Sequence, residues 1–254
     1  MKISIITVVL NGAKTITSTL QSISSQKYQN KEHIIIDGGS TDNTLSILTE
    51  YRGHDFKVIT GSDQGIYDAM NKGIDCSRGD IIGFLNSDDT YSNDFVLSSI
   101  ATAFEDETID VSYGDLLYVD LNISKALRYW QSCDFQKGKF FDGWAPPHPT
   151  FYIRKSAIPR VGNFDMNYGH ASDFEFMLRC LEIYNLKSIY IPRVLIKMRI
   201  GGVTSSGYYG IINQNLKILK ACKNYSSDFS IINFLIKKII SKFKEFKLAE
   251  KYKF

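Results

Sequence analysis

Several features that would place a protein in a familiar class are scarce or missing from these 254 residues. The four cysteines form no CxxC pair, so neither a zinc knuckle nor a redox motif is indicated, and reduced thiols are expected. No run of about 20 apolar residues occurs, so no membrane span is predicted, and the apolar run after Met1 is too short for a signal peptide. Dinucleotide-binding, P-loop, zincin and α/β-hydrolase motifs are also missing, which argues against those enzyme classes.

The net charge of +3 conceals an uneven distribution. From residue 237 to the end, seven lysines and two glutamates give +5, so the preceding residues together carry −2. A nucleic-acid-binding body would carry basic residues across a contact face, so we expect no nucleic-acid partner. From Ile231 onward, apolar residues recur at helical spacing opposite a lysine-rich face. This pattern predicts an amphipathic helix that either lies on an anionic membrane surface or packs on the body.

Strands and helices alternate along the first part of the chain. Runs rich in β-branched residues predict buried strands, and apolar stripes predict the helices between them. Strands are expected at 3–9, 33–36, 56–60 and 80–85, and helices at 15–25, from a cap at Ser40 or Thr41 to about 51, and at 66–75. This order predicts an α/β fold with a mostly parallel, Rossmann-like sheet, helices on both faces and ligands at the carboxyl ends of the strands.

The second part of the sequence is less regular. Ser172 is expected to be the N-cap of a helix that ends near Tyr184, with Glu175 three residues later as in a capping box. The remaining expectations are one or two strands over 111–119, a loop over 138–149, strands at 189–191 and 194–200, and a helix over 208–222.

The first candidate for chemistry is the segment Asn86-Ser87-Asp88-Asp89, directly after the fourth expected strand. Adjacent carboxylates repel each other, and a divalent cation held by hard oxygen ligands would offset that repulsion. A diphosphate would supply further oxygens. Asn, Ser and Asp also favour ordinary turns, so the pattern alone leaves both interpretations open.

Two polar segments follow other strands of the same sheet. Asp37 precedes two glycines and a helix start, where it could accept a hydrogen bond from a base or a ribose, or simply shape a tight turn. Lys72 lies one turn after Asp68, where it could offset diphosphate charge or belong to an ordinary polar helix face.

The second part of the chain adds a carboxylate pair and a histidine. Asp173 and Glu175 fall in a first helical turn, where the helix dipole favours a structural role for Glu175 but can also place one carboxylate as a general base. His148 lies between two prolines with Trp144 nearby, which indicates either a shaped loop over a ligand or a packed histidine.

Seven segments in this order resemble glycosyltransferase family 2, which has the GT-A fold. They span about residues 3–206 and read SIITVVLNG, DGGSTDNT, DQGIYDAMNKGI, GDIIGFLNSDD, HPTFYIRK, SDFEFMLR and GGVTSS. The resemblance is strongest to bacterial members that build O-antigen, colanic acid and related surface polysaccharides. It implies a GT-A catalytic domain at 1–206 and a C-terminal helical region with a basic amphipathic tail at 207–254.

The resemblance also implies a role for individual residues. Asp37 would bind the donor's base, typically uracil, Asp88 the ribose or donor sugar, and Asp89 a Mn²⁺ or Mg²⁺ ion on the diphosphate. Asp173 would be the catalytic base. The remaining donor-binding candidates are Val9, Asn11, Asp63, Lys72 and Asn86, and those near the acceptor or diphosphate are Trp144, His148 and Glu175.

The implied reaction is inverting transfer of a hexose from a nucleoside-diphosphate sugar to a hydroxyl of a lipid-linked acceptor. UDP-glucose and UDP-galactose are the favoured donors, and a sugar on undecaprenyl diphosphate is the favoured acceptor, within O-antigen biosynthesis. The protein would then be cytoplasmic and peripheral on the inner face of the cytoplasmic membrane, with a homodimer left open. The Gly201-Gly202 loop would fold over the site.

Two departures from the family pattern and two alternative functions qualify this expectation. Val8 replaces a frequent proline, and Ser87 replaces the first aspartate of the DxD motif, so metal binding depends more on Asp89. A sugar-nucleotide nucleotidyltransferase would have a similar sheet, but the loop from Leu10 to Lys14 is poor in glycine and basic residues. An inactive sugar-nucleotide-binding protein is the other alternative.

Overall fold

The computed structural model describes residues 1–51, 55–200 and 207–249. Within these ranges nine strands form one sheet, in the order β3-β2-β1-β4-β8-β6-β9-β5, with β7 paired to β6. The strands are β1 Ile3–Val9, β2 Lys31–Asp37, β3 Phe56–Thr60, β4 Ile81–Phe84, β5 Thr90–Tyr91, β6 Val111–Val119, β7 Ala126–Trp130, β8 Tyr152–Arg154 and β9 Ser188–Arg199.

Helices cover both faces of the sheet and extend from its end. They are α1 Ile16–Ser24, α2 Thr44–Glu50, α3 Ile66–Cys76, α4 Val96–Ala103, α5 Ile158–Val161, α6 Ser172–Leu178, α7 Gly207–Tyr225 and α8 Ile231–Ala249. Short 3-10 turns lie at Lys139–Asp142, His148–Thr150, Lys155–Ala157 and Met166–Ala171, and a π-turn at Arg179–Ile183 continues α6. In the part of the chain that the structure describes, no helix is both long and apolar enough to cross a bilayer.

The first half of the fold confirms the expected parallel α/β arrangement. Strands β3, β2, β1 and β4 are parallel neighbours, and helices α1, α2 and α3 make the crossovers. Every residue of β1 is buried, as expected for a strand covered on both faces. Parallel strands end at the same edge of a sheet, so the loops after β1, β2, β3 and β4 meet there.

The second half adds antiparallel strands that the alternating pattern did not reveal. β8 lies between β4 and β6 and is antiparallel to both. β7 pairs antiparallel with β6, β5 pairs antiparallel with β9, and β6 and β9 are parallel to each other. The two strands expected at 189–191 and 194–200 are one strand, β9, whose register with β6 shifts on either side of Asp115. The loop expected over 138–149 contains the first 3-10 turn and the start of the second.

Two predicted helix starts are wrong, each because the capping groups are engaged differently. Helix α2 begins at Thr44 rather than near 41, because the amides of Thr41 and Asp42 donate to Asn11 Oδ1 at 2.8 and 3.2 Å. Ser172 is the first residue of α6 and not its N-cap. Its hydroxyl is within 2.7 Å of two carbonyls in the preceding turn, to which it donates instead of accepting from the helix.

The C-terminal helices share the hydrophobic core of the sheet. Ile218 and Cys222 of α7 and Phe234 of α8 are buried in the same cluster as Phe84 of β4 and Phe176 of α6. The predicted division into a catalytic domain at 1–206 and a helical region at 207–254 therefore stays a prediction. α7 and α8 contribute side chains to the same core as the sheet.

A buried ion network closes the amino-terminal edge of the sheet, away from the loops that follow the strands. Glu32 is 2% exposed, accepts from the Ser4 hydroxyl at 2.6 Å and pairs with Arg78 Nε at 3.0 Å and Lys2 Nζ at 3.4 Å. Burial by itself would raise the pKa of Glu32, but hydrogen bonds from Ser4 and Arg78 and the charge of Lys2 lower it to about 2.

We expect Glu32→Gln to lower the free energy of unfolding at pH 7 by about 2–3 kcal/mol, because a buried, charge-assisted network loses its anion. The pKa of Glu32 is lower in the folded chain than its ordinary value of 4.5, so this stabilisation is present above pH 4.5 and is lost as the pH falls towards 2. Urea unfolding of wild type and variant at a series of pH values measures the difference. Asp94→Asn, in an exposed pair with Lys27 at 3.9 Å, is the control and should change little at any pH.

Candidate active site

The loops that follow β1 and β2 are tied together at the carboxyl edge of the sheet. Asn11 has a positive φ of 54°, a left-handed conformation that asparagine adopts more readily than most residues. From there its Oδ1 accepts from the amides of Thr41 and Asp42, while the Val9 carbonyl accepts the N–H of Gly38 at 2.9 Å. Asn11 and Val9, both predicted to bind the donor, thus hold the loop after β1 against the loop after β2.

The loop after β3 lies beside the loop after β2. Asp37 is fully buried at the end of β2, and its Oδ2 accepts from the amides of Gly39 at 3.1 Å and Ser40 at 3.2 Å. A Cβ on Gly38 would lie 2.5 Å from Asp63 Oδ2, so the carboxylate of Asp63 packs closely against the backbone of Gly38. The predicted donor residues of three successive loops are therefore neighbours.

The segment after β4 carries two carboxylates in an environment that disfavours charge. Asp89 is 0% exposed, its Oδ2 accepts from Asn86 Nδ2 at 3.0 Å, and its Oδ1 has no hydrogen-bond partner among the described residues. Burial first, and then the charge of Asp88, raise the pKa of Asp89 well above its usual range. Burial also raises the pKa of Asp88.

The carboxylates of Asp88 and Asp89 are suited to bind a divalent cation. A buried carboxylate oxygen without a partner is costly, and a cation bound by hard oxygens would stabilise its ionised form. No cluster of three or more His, Cys, Asp or Glu side chains within residues 1–51, 55–200 and 207–249 could hold an ion alone. The chain would therefore supply Asp89 and Asp88, and the remaining oxygens would come from a ligand such as a diphosphate.

Arg199 lies beside these two aspartates, although the sequence did not single it out. At the end of β9, its guanidinium donates to the Asp88 carbonyl at 2.6 Å and to Ser18 Oγ at 3.0 Å. Its charge counteracts the effect of burial on both Asp88 and Asp89. The antiparallel pairing of β9 with β5, the strand that directly follows the two aspartates, brings Arg199 to this edge although it is distant in sequence.

A second group of side chains surrounds Asp173 in the first turn of α6. His148 is 7% exposed, and its ring lies 5.4 Å from Phe84 and 5.6 Å from Phe164, with no hydrogen-bond partner for Nε2 among the described residues. Burial lowers the pKa of His148, and the charge of Asp173 acts in the opposite direction.

Tyr67 of α3 forms a hydrogen bond with Asp173, a role that the sequence pattern did not indicate. Burial raises the pKa of Tyr67 well above 10, and the charge of Asp173 and a hydrogen bond to it raise it further. The ring of Tyr67 lies 5.4 Å from Phe164, which is fixed by two hydrogen bonds to Asn71. Asn71 is thus structural, and Tyr67 is the residue of this motif that faces Asp173.

Asp89 and Asp173 both act electrostatically on Tyr118 of β6. Burial raises the pKa of Tyr118; the charge of Arg128 lowers it, and the charges of Glu245, Asp89 and Asp173 raise it. That the carboxylates of the β4 loop and of α6 line one cleft stays a prediction.

Two predicted residues, Lys72 and Glu175, have other partners. Lys72 forms an ion pair with Asp68 at 2.9 Å and donates to the Ser62 carbonyl at 3.0 Å. Both carboxylate oxygens of Glu175 bind Arg179 at 2.8 Å, and one also accepts from the Tyr225 hydroxyl at 2.7 Å. Glu175 therefore has a structural role in this geometry.

Trp144 belongs to an aromatic cluster. Its ring packs 5.4 Å from Phe140 and 6.0 Å from Tyr113, and its Nε1 has no hydrogen-bond partner among the described residues. That buried donor remains available to a ligand. The loop expected to fold over the site, Gly201-Gly202, lies outside the described residues.

Comparisons with known proteins point to one family. Residues 4–159 match the sequence profile of Glycosyl transferase family 2. The chain is 31% identical over 196 residues to the PGL/p-HBAD biosynthesis glycosyltransferase of Mycobacterium bovis, a match that covers 76% of this chain and 74% of the relative. It is 28% identical over 207 residues to a glycosyltransferase of Haemophilus influenzae, covering 80% of this chain and 81% of the relative.

Two solved structures share the fold at lower sequence identity. S. aureus TarS 1-349 in complex with UDP-GlcNAc gives a TM-score of 0.65 at 18% identity, covering 95% of this chain and 79% of that chain. Mannosyltransferase PcManGT from Pyrobaculum calidifontis, in complex with GDP-Man and Mn²⁺, gives 0.66 at 17% identity, covering 90% and 65%. Both support the GT-A fold that the sequence predicted.

We expect Asp173→Asn to lower the pKa of His148 further, because the opposing charge of Asp173 is removed while burial is unchanged. An NMR titration of the histidine ring protons measures this without any substrate, and His148→Gln assigns the signal. Asp75→Asn, on the exposed side of α3, is the control and should leave the titration unchanged. An unaltered His148 titration in Asp173→Asn would show that the two residues do not share a site.

Proposed function

Because the chain belongs to glycosyl transferase family 2 and is a glycosyltransferase, we propose that it transfers a hexose, with inversion, from a UDP-sugar to a hydroxyl of a lipid-linked sugar acceptor. The observation that carries this proposal is that the ring of His148, on which the charge of Asp173 acts, stacks 5.4 Å from Phe84 of β4, the strand that leads into Asp88 and Asp89. Family membership decides against the nucleotidyltransferase alternative, and the presence of all three carboxylates supports an active enzyme over an inactive one.

The nucleoside would lie along the wall built by the loops after β1, β2 and β3. Asn11, Asp37 and Asp63 line this wall, and the backbone of Val9 supports it. We assign UDP as the leaving nucleotide, with UDP-glucose and UDP-galactose as the first donors to test. The complex of TarS with UDP-GlcNAc supports a uracil base, and the complex of PcManGT with GDP-Man makes the guanine donor the necessary comparison.

Asp89 and Asp88 would hold Mn²⁺ or Mg²⁺, with Asn86 fixing the orientation of Asp89 through its 3.0 Å hydrogen bond. The ion would neutralise charge on the departing diphosphate. The unpartnered Oδ1 of Asp89 is the atom that best fits a ligand role. The Mn²⁺ in the PcManGT structure supports a divalent ion in this fold.

Asp173 would act as the general base on the acceptor. One of its carboxylate oxygens takes the proton from the acceptor hydroxyl. At the same time the hydroxyl oxygen attacks the anomeric carbon, and the bond from that carbon to the diphosphate breaks. Tyr67 would orient the carboxylate through its hydrogen bond. His148, kept neutral by burial, would leave the negative charge of Asp173 uncompensated and available to the proton.

We expect Asp173→Asn to reduce turnover by about 10²–10⁴-fold while the donor dissociation constant stays nearly unchanged, since general-base catalysis contributes in that range. Turnover is measured as UDP release with a sugar acceptor, and donor binding by calorimetry. Asp75→Asn serves again as the matched control and should retain wild-type turnover. Wild-type turnover in Asp173→Asn would remove this residue from the role of base.

We expect Asp89→Asn to abolish the enhancement of UDP binding by Mn²⁺, because the isosteric amide keeps the shape but loses the ligand charge. Calorimetric titration of UDP, with Mn²⁺ and with EDTA, measures this without turnover. Asp63→Asn, in the nucleoside wall, should weaken UDP binding equally under both conditions. Equal Mn²⁺ dependence in wild type and Asp89→Asn would contradict the metal role.

The acceptor side of the cleft lies near Asp173, His148 and Trp144. We propose a lipid-linked sugar of the undecaprenyl-diphosphate type, in the synthesis of a bacterial surface polysaccharide such as O-antigen. The named role of the mycobacterial relative in PGL/p-HBAD biosynthesis supports a glycolipid-type product. Such an acceptor places the enzyme at the inner face of the cytoplasmic membrane.

A further inference from the structure

Helix α8 packs on the body through its less apolar side. Phe234, Glu245 and Ala249 are buried, and Glu245 forms an ion pair with Arg128 of β7. Surface helices of globular proteins usually bury their apolar stripe and expose their charges. In α8 a buried carboxylate faces the body, so the helix is held in an inverted orientation by specific contacts.

The apolar stripe of α8 points away from the body. Phe243 is 74% exposed and Ile232 is 73% exposed. Of the 21 large hydrophobic side chains that are exposed among the described residues, 11 belong to α7 and α8, which marks this face as unlike the rest of the surface. They are Ile211, Ile212, Leu216, Ile231, Ile232, Leu235, Ile236, Ile239, Ile240, Phe243 and Phe246. We call them the apolar face.

Helix α7 widens the apolar face into a two-helix surface. Ile212 and Leu216 of α7 line an open groove of about 300 Å³ with Leu235 and Ile239 of α8. A contiguous exposed apolar surface of this extent marks a site of contact with a protein partner or a membrane.

Free positive charge borders the apolar face. Lys242 and Lys247 lie on its two sides at helical spacing, with Lys244 nearby, and none of the three forms an ion pair within the described part of the chain. By contrast, Lys237 pairs with Asp142 at 2.7 Å. Apolar side chains flanked by unpaired lysines match a bilayer surface with anionic headgroups.

The inner edge of this surface adjoins the site. Lys238 of α8 donates to Asn215 of α7 at 2.9 Å, and Gln214 donates to the carbonyl of His170, three residues before Asp173. Burial, and the charge of Lys242, lower the pKa of Lys238 to about 8, while the charge of Asp173 opposes this. Asp173 therefore lies within electrostatic reach of the buried side of α8.

We propose that the apolar face of α7 and α8 inserts into the headgroup region of an anionic bilayer, while α8 stays packed on β7, and so brings the Asp173 cleft to the membrane surface. A second copy of the chain fits less well, because unpaired lysines beside the apolar face call for an anionic counterpart, and the only carboxylate in α7 and α8, Glu245, is buried against the body. This proposal rests on the proposed function in one respect only: the lipid-linked acceptor explains why the enzyme would need a membrane surface.

Co-sedimentation of the full chain with vesicles tests this proposal. We expect binding to vesicles of phosphatidylglycerol mixed with phosphatidylcholine and weak binding to phosphatidylcholine alone. Phe243→Glu should weaken binding at least about tenfold, because a large apolar side chain is no longer inserted. Replacing Lys242, Lys244 and Lys247 by glutamine should weaken binding to the anionic vesicles about 100-fold, at about 1 kcal/mol for each lysine.

The matched control is Phe95→Glu, since Phe95 is 60% exposed but lies at the start of α4, away from the apolar face. It should bind vesicles as wild type does. Far-UV circular dichroism and UDP binding confirm that each variant is folded. Three results would overturn the proposal: no binding of wild type to anionic vesicles, equal binding by Phe243→Glu and Phe95→Glu, or a lipid-free dimer that Phe243→Glu dissociates.

Vesicle binding needs neither donor nor acceptor, so it can fail while transfer to a short soluble acceptor succeeds. Conversely, Asp173→Asn should bind vesicles normally and lose turnover. The two outcomes separate a wrong membrane surface from a wrong reaction.

Discussion

The buried carboxylate of Asp89 is the constraint on which the site depends. Its neighbour Asp88 repels it, its Oδ1 has no partner in the described chain, and burial raises its pKa. Such an arrangement costs stability unless something offsets it, and the hydrogen bond from Asn86 and the charge of Arg199 offset only part. A buried carboxylate with a raised pKa and an unpartnered oxygen, at the carboxyl end of a strand, is typical of a site that is completed by a ligand.

The rest of the fold brings distant residues to that group. The parallel strands β1 to β4 deliver the nucleoside wall and the aspartates to one edge through local crossovers. Strand β8 inserts antiparallel beside β4 and carries His148 on the turn before it, and β9 delivers Arg199. Asp173 then reaches the cleft from the first turn of α6. The candidate base therefore comes from the half of the chain that contributes the antiparallel strands, and the proposed donor-binding residues come from the parallel half.

This division explains how far the sequence could predict the structure. The first four strands follow from local apolar periodicity, so the segments that carry Asp37, Asp63 and Asp89 could be predicted to meet at one edge, whereas Asn11 was a candidate only through the family resemblance. The insertion of β8 depends on pairing Ile82 with Ile153, a long-range contact that no local pattern reveals. Ser172 looked like an N-cap, but its hydroxyl donates to carbonyls of the irregular turn just before it, which the capping-box pattern does not reveal. Tyr67 and Arg199 were missed because their roles come from neighbours distant in sequence.

The orientation of α8 extends the same reasoning to the surface. An amphipathic helix on a protein surface usually buries its apolar side chains. In α8 the isoleucines are exposed, because the ion pair of Glu245 with Arg128 and the burial of Phe234 turn the opposite side towards the body. Arg128 in turn lies over the ring of Tyr118 at 4.5 Å, and Tyr118 is the phenol on which Asp89 and Asp173 both act. Contacts therefore run from the inverted helix through Arg128 to Tyr118. Turning α8 over to hide its apolar face would separate Glu245 from Arg128, so the exposure of that face follows from the ion pair that fixes α8 on β7.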